Sequence, residues 1–173
     1  MRLACIAIAA GMLLLSSCAV TKPPATPSEV GPYTSFSGRL IVIEPKRRWQ
    51  VVVQWDATPE KGLVRMTHAA SNRIVQLSWQ NGQMLLRDNA DKSGLWRPVT
   101  IDQLAANGII MAPQQLAGIL TGHMPPSLIA KGGGVWEGKV DDAFLRIKWW
   151  QEKRRLELTD MTHGRKATLI IEP

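Results

Sequence analysis

Among the side chains able to do covalent chemistry, Cys18 has the most telling surroundings. It follows Leu15-Ser16-Ser17 at the end of an apolar run that starts near Leu3, behind the basic Arg2. A basic start, an apolar stretch of roughly a dozen residues and small residues at its end make an export signal. The run is shorter than the roughly 20 residues that a membrane-spanning helix needs. The other candidates are dispersed. His68, His123 and His163 each fall in an expected loop or turn, with no His-Glu-x-x-His spacing and no cysteine partner for zinc. Gly132-Gly133-Gly134 lacks the Lys-Ser/Thr that a phosphate loop requires, and no Gly-x-Ser-x-Gly elbow occurs. Asp141-Asp142 reads as a turn between strands, not as a catalytic carboxylate pair. The expectation is a protein that is not an enzyme and takes no cofactor or metal.

The residues at 15–18 resemble the lipobox of bacterial lipoproteins. That resemblance implies removal of residues 1–17 as a lipoprotein signal peptide and attachment of lipid, including palmitate-like chains, to Cys18. Cys5 leaves with the signal, so the mature chain keeps one thiol and forms no internal disulfide, which suits acylation better than redox chemistry. Ala19 follows, where lipoproteins retained in the inner membrane typically carry Asp. The implied location is the outer membrane, with a lipid anchor and the domain facing the periplasm. A plain export signal with an incidental cysteine is the simpler alternative.

The formal charge of +7 is scattered in short clusters, Lys46-Arg47-Arg48, Lys153-Arg154-Arg155 and Arg165-Lys166, each at an expected turn. A nucleic-acid interface would show a basic stripe interleaved with stacking aromatics, so none is expected. Solvated turns are the default reading of these clusters, and attraction to anionic head groups near the anchor the sharper one. Residues 18–34 hold Pro23, Pro24, Pro27 and Pro32 and read as the acylated cysteine and an extended tether. Residues 35–173 then read as a single domain, expected as a monomer.

Within that domain the hydrophobic period is two. Strands are expected at 36–43, 49–55, 63–67, 73–79 and 83–87, the last two joined by Asn81-Gly82, a strong hairpin signal. Thr100-Ile-Asp-Gln103 reads as a capping box opening a short helix that closes at Asn107-Gly108. Pro113 suits the first turn of a second helix ending at Gly122. Strands return at 135–140, 143–150, 154–159 and 166–171, with 131–134 as a flexible turn or bulge. The fold class is mainly β with short helices: a half-open antiparallel barrel, or strongly curved sheet, with the helices across its mouth. Its interior is either filled by side chains or holds an apolar ligand. The inward candidates are Trp49, Val51, Val53 and Trp55 on one strand, Leu77, Trp79 and Met84 on the next hairpin, and Trp149. Unbranched, polarisable methionines such as Met66 would accommodate ligands of variable shape.

The lipobox, the Phe36-Ser-Gly-Arg-Leu40 strand, the strand ending at Trp55 and the Asn81-Gly82 hairpin together resemble the outer-membrane lipoprotein receptor family LolB. So do Ala112-Pro-Gln-Gln-Leu-Ala-Gly-Ile-Leu-Thr121, Met124-Pro-Pro126 and the closing strands. The resemblance implies a half-open barrel with a helical lid over an apolar cavity. It also implies acylated lipoprotein cargo, received from a periplasmic LolA-like carrier and passed to the outer membrane. Met111, Leu116, Ile119 and Leu120 are the lid candidates. The family carries an exposed leucine in a turn between two early strands, implicated in insertion. The matching turn here, His68-Ala69-Ala70-Ser71-Asn72, has no large apolar residue, which leaves Met66 or Trp96 as substitutes, or binding without insertion. The rival reading is a structural or assembly lipoprotein with a filled core that acts through protein contacts. A third is a carrier of some other hydrophobic ligand.

Overall fold

The computed structural model describes residues 30–173. Cys18, the signal and most of the tether lie outside the described residues. Alternation along the chain generates the strands. In β2 (Arg47–Ala57), Val51, Val53, Trp55 and Ala57 are buried while Gln50, Val52, Gln54 and Asp56 are exposed, as period-two patterning with one solvated face requires. The same logic builds β1 (Ser35–Glu44), β3 (Lys61–His68), β4 (Arg73–Gln80) and β5 (Gln83–Asp88). It also builds β8 (Val135–Val140), β9 (Ala143–Trp150), β10 (Arg155–Asp160) and β11 (Arg165–Ile171). Between β4 and β5, Asn81 and Gly82 both adopt positive φ (51° and 76°), the requirement of the tightest hairpin turn.

Two edge strands carry no alternation and escaped the sequence reading. β6 is the pair Arg97–Pro98, and β7 (Leu128–Gly132) buries Leu128 alone. β7 runs into the glycine segment through a register shift between Ala130 and Gly132. The bulge expected there is therefore part of an edge strand, where bulges and proline protect against further pairing.

All strands join one antiparallel sheet in the order β6-β5-β4-β3-β2-β1-β11-β10-β9-β8-β7. The first strand pairs with both β2 and the last strand, β11, so the chain folds as two meanders fused along β1–β11. β6 and β7 lie at opposite edges, and the sheet is open. A flat sheet of this width would span about 50 Å at ~4.8 Å per strand. Yet Val53, Leu77, Ile147 and Leu156 share one core cluster, so the sheet curls around what it covers.

What it covers is the segment between β6 and β7. α1 (Ile101–Ala106) starts with a full capping box: Gln103 N donates to Thr100 Oγ1, and Thr100 N donates to Gln103 Oε1. α2 (Pro113–Leu120) starts on proline and buries Ala117, Gly118, Ile119 and Leu120. Val30 is 1% exposed, and Tyr33 N donates to Leu120 O at 2.7 Å. Residues 30–34, read from their prolines as the end of the tether, are therefore packed onto α2 and the sheet. Buried apolar residues from Val30 to Ile171 form one core cluster.

Candidate functional site

Antiparallel pairing sorts the turns into two ends. The turns after β1, β3, β8 and β10 lie at one end, and those after β2, β4, β7 and β9 at the other. The second end is filled by aromatic rings in succession: Trp149 against Tyr33 (5.7 Å between centroids), Tyr33 against Phe36 (6.4 Å), Phe36 against Trp55 (5.8 Å) and Trp55 against Trp79 (5.8 Å). Trp79 is 2% exposed and its Nε1 donates to Thr58 O at 3.2 Å. This end is a floor.

The first end is open. Between the inner face of β2–β5 and the underside of α1 lies a cavity of about 820 Å³, within the size range of ligand sites. Trp49 and Val51 of β2, Met66 of β3, Val75 of β4, Leu86 of β5, and Val99, Leu104 and Ile109 supply its apolar wall. A second pocket of about 80 Å³ continues inward, lined almost wholly by apolar side chains including Leu40, Val53, Trp55, Leu77, Met111 and Leu116. Met66 and Ile109 border both, so the wide mouth leads into the narrow apolar depth past a methionine. At ~30 Å³ for one water, the inner pocket holds no more than a few methylenes as it stands.

The mouth is held by polar contacts. Glu44 Oε1 accepts from Arg47 Nε at 3.0 Å and from Trp49 Nε1 at 3.3 Å. The Arg47 hydrogen bond, opposed by burial and helped by Trp49, keeps the Glu44 carboxyl below its ordinary range. The same oxygen abuts Gly108, whose φ is +88° and where a Cβ would lie 2.2 Å from Glu44 Oε1. Only glycine lets the end of α1 approach the wall this closely. Across the mouth, Arg73 Nε donates to Asp88 Oδ2 at 3.1 Å. That hydrogen bond is the main cause lowering the Asp88 pKa and raising that of Arg73. On the far side of α1, Asp160 is fully buried. It accepts from Arg165 Nε (2.9 Å) and Nη2 (2.6 Å) and from the backbone of Thr162 and His163, and its Oδ2 lies 2.8 Å from His163 Nδ1. Arg165 Nη1 reaches on to Ala105 O at 3.2 Å, tying the last turn of α1 to the sheet.

The expected site residues divide among these places. Trp49 and Val51 line the mouth; Val53, Trp55 and Leu77 line the inner pocket. Trp79 and Trp149 belong to the aromatic floor, and Met84 is half-buried against the core. Of the lid candidates, Met111 and Leu116 face the inner pocket. Ile119 and Leu120 are 0% exposed in the core, where they anchor α2. In the 68–72 turn, His68 lines the mouth, its Nδ1 2.9 Å from Ser71 Oγ, while Ala69 and Ala70 are exposed. Trp96 is 39% and Leu95 66% exposed, next to Arg97 of the rim. The sequence reading missed the contribution of Val75, Leu86 and Leu104 to the mouth and its Arg73 and Arg97; Arg47 and Arg48 stood out only as a basic cluster at a turn. The even spacing of Arg47 with Trp49 and Val51 was the available signal for Arg47.

Among the described residues, no cluster of three or more His, Cys, Asp or Glu could hold a metal, and no helix is long and apolar enough to cross a membrane. No family model and no curated protein matches the sequence. Among solved structures, the chain is similar to a LolA superfamily protein, NE2245 from Nitrosomonas europaea. The identity is 10%, over 86% of this chain and 93% of that one, with a TM-score of 0.46.

Proposed function

We propose that this chain is a lipid-anchored periplasmic protein, attached through Cys18, that accepts the acyl chains of lipoproteins and passes them to the outer membrane. The observation that carries the reading is the 820 Å³ mouth that narrows past Met66 into an apolar pocket, with the opposite end of the sheet plugged by aromatic rings. Each buried methylene contributes about 0.8 kcal/mol. A groove that shields part of each chain therefore lowers the cost of crossing water, yet holds cargo less tightly than a bilayer does. A LolA-like carrier would present its cargo at the open end. There Trp96 and Leu95 offer exposed apolar surface for contact with the receiving membrane, in place of the 68–72 turn.

The moving cover is α1. It buries one side chain, Leu104, whereas α2 is locked in the core, and elements held by few buried contacts open at least cost. Small movements of α1 and of residues 107–111 would widen the inner pocket from its present 80 Å³.

The small inner volume also favours a second reading, a structural lipoprotein with a filled core acting through protein contacts. Titration of the soluble chain, residues 19–173, with an acylated lipopeptide separates the two, with the tryptophans as reporters and the unacylated peptide as control. Saturable, acyl-dependent binding weakened at least tenfold by Met66→Glu supports the carrier. Folded protein with no acyl-dependent signal leaves the structural reading.

A further inference from the structure

We propose that the cavity mouth is a head-group site, selecting amphiphiles whose polar end is an anion, a carboxylate or a phosphate, directly attached to the apolar chain. The proposal rests on the acyl-cavity reading for the chain and adds a recognition element for the head.

Arg47, Arg48, Arg73 and Arg97 line the mouth with Asp88 and His68, and Glu44 and Asp91 stand beside Arg47 and Arg97. Their partners decide what each can still do. Arg73 is committed to Asp88 through both Nε and Nη2. Arg47 engages Glu44 through Nε, and Arg97 reaches Asp91 through Nη2 at 3.3 Å. Arg48 has no carboxylate partner among the described residues, but it alternates with Arg47 and Trp49 and pairs with the exposed Ile43, on the solvated face. Arg47 and Arg97 each keep guanidinium N–H donors at the rim that no carboxylate in the described structure engages. A guanidinium has five donors in a planar fork that matches carboxylate and phosphate oxygens. A neutral ester or alcohol offers that fork nothing it does not already obtain from water.

The excess of positive charge is local, not a reflection of the basic composition. The neighbouring pocket of about 530 Å³, on the other side of α1, is lined by Asp102, Asp141 and Asp142. Its Arg165 is committed to the buried Asp160. α1 thus divides a cleft lined by four arginines from one lined by three aspartates; the apolar inner pocket shares Met66 and Ile109 with the first and Ile109, Ile110 and Met111 with the second. An amphiphile would lie with its anion at Arg47, at the start of β2, and its chain along Trp49 and Val51 of the same face and Met66 of β3 toward the depth.

The test compares ligands of one chain length on the soluble chain, residues 19–173, below their micellar concentrations: palmitate, hexadecyl phosphate, hexadecanol and methyl palmitate, with inorganic phosphate alone as a separate arm. Anionic heads should bind about tenfold or more tightly than neutral ones, the scale of a charge-assisted hydrogen bond, and the advantage should shrink as salt rises from 50 to 500 mM. Arg47→Gln with Arg97→Gln should bring anionic and neutral ligands close to parity. Both residues are exposed, and an unchanged melting curve verifies the fold. Arg97→Gln alone, on the other rim strand, gives a partial loss. Equal affinity for neutral and anionic heads overturns the head-group site and leaves the acyl cavity standing. Inorganic phosphate binding as tightly as hexadecyl phosphate overturns the lipid assignment in favour of a free-anion site. No binding by any of the amphiphiles overturns both readings.

Discussion

At the scale of single residues, the positions that matter most are polar and buried. Asp160 is fully buried, and desolvation alone would raise its pKa. The Arg165 hydrogen bonds, with those from the His163 backbone and ring, outweigh that and hold it below the ordinary Asp value. A depressed carboxylate stabilises the fold fully above its unfolded pKa of about 3.9 and loses that contribution as pH falls through the lower native value. Acid unfolding of the wild type should therefore include a component below about pH 4 that Asp160→Asn lacks. At neutral pH the same substitution leaves Arg165 without its partner and should cost about 3–5 kcal/mol in a denaturant melt. A loss under 1 kcal/mol would mean that water replaces the carboxylate freely. Glu44 plays the opposite part at the mouth: it restrains Arg47 and Trp49 but subtracts a positive charge from the rim. Glu44→Gln should tighten binding of an anionic amphiphile several-fold and leave a neutral one unchanged, as read by titration calorimetry. Weakened binding of both would show that Glu44 acts by shaping the wall and not by its charge.

At the scale of elements, the two helices differ more than their sequences suggest. α1 is positioned by its capping box, by Leu104, by the Arg165 bond to Ala105 O and by the approach of Gly108 to Glu44. Gly108→Ala places a side chain at φ +88° and against a carboxylate oxygen, so α1 must shift. The expected cost is about 1–3 kcal/mol, with faster amide exchange over 101–108 and unchanged exchange in α2. Equal loosening of both helices would mean that they move as one body. The capping box, Pro113 and the Asn81-Gly82 turn were legible because each is a local device. The depth of α2 was not. An apolar face at Leu116, Ile119 and Leu120 looks the same on a lid as on a core helix. What marks α2 as a core helix is that Ala117 and Gly118 are buried beside Ile119 and Leu120. β6 and β7 were illegible for another reason: edge strands of this length bury almost nothing, so no alternation marks them.

At the scale of the whole molecule, alternation showed which side chains point inward but not where along each strand the interior is filled. Trp55, Trp79 and Trp149 read the same as Trp49 in the sequence. Their separation into floor and mouth depends on registers between strands far apart in the chain, and on Tyr33 and Phe36 bridging β2 to β9. That separation makes stability and ligand capacity distinct properties of the two ends. Trp79→Ala removes a ring that is 2% exposed and hydrogen-bonded to Thr58 O, and should lower unfolding stability by about 3–5 kcal/mol. Met66→Ala, at the half-buried boundary between the two cavities, should cost well under half of that, roughly 1 kcal/mol, because space already adjoins it. It should also widen the passage and strengthen binding of a branched-chain amphiphile relative to a linear one. Guanidinium melts and the two titrations together decide the matter. If Met66→Ala proves as destabilising as Trp79→Ala, the mouth is packed core, and the molecule has no end at which an acyl chain can enter.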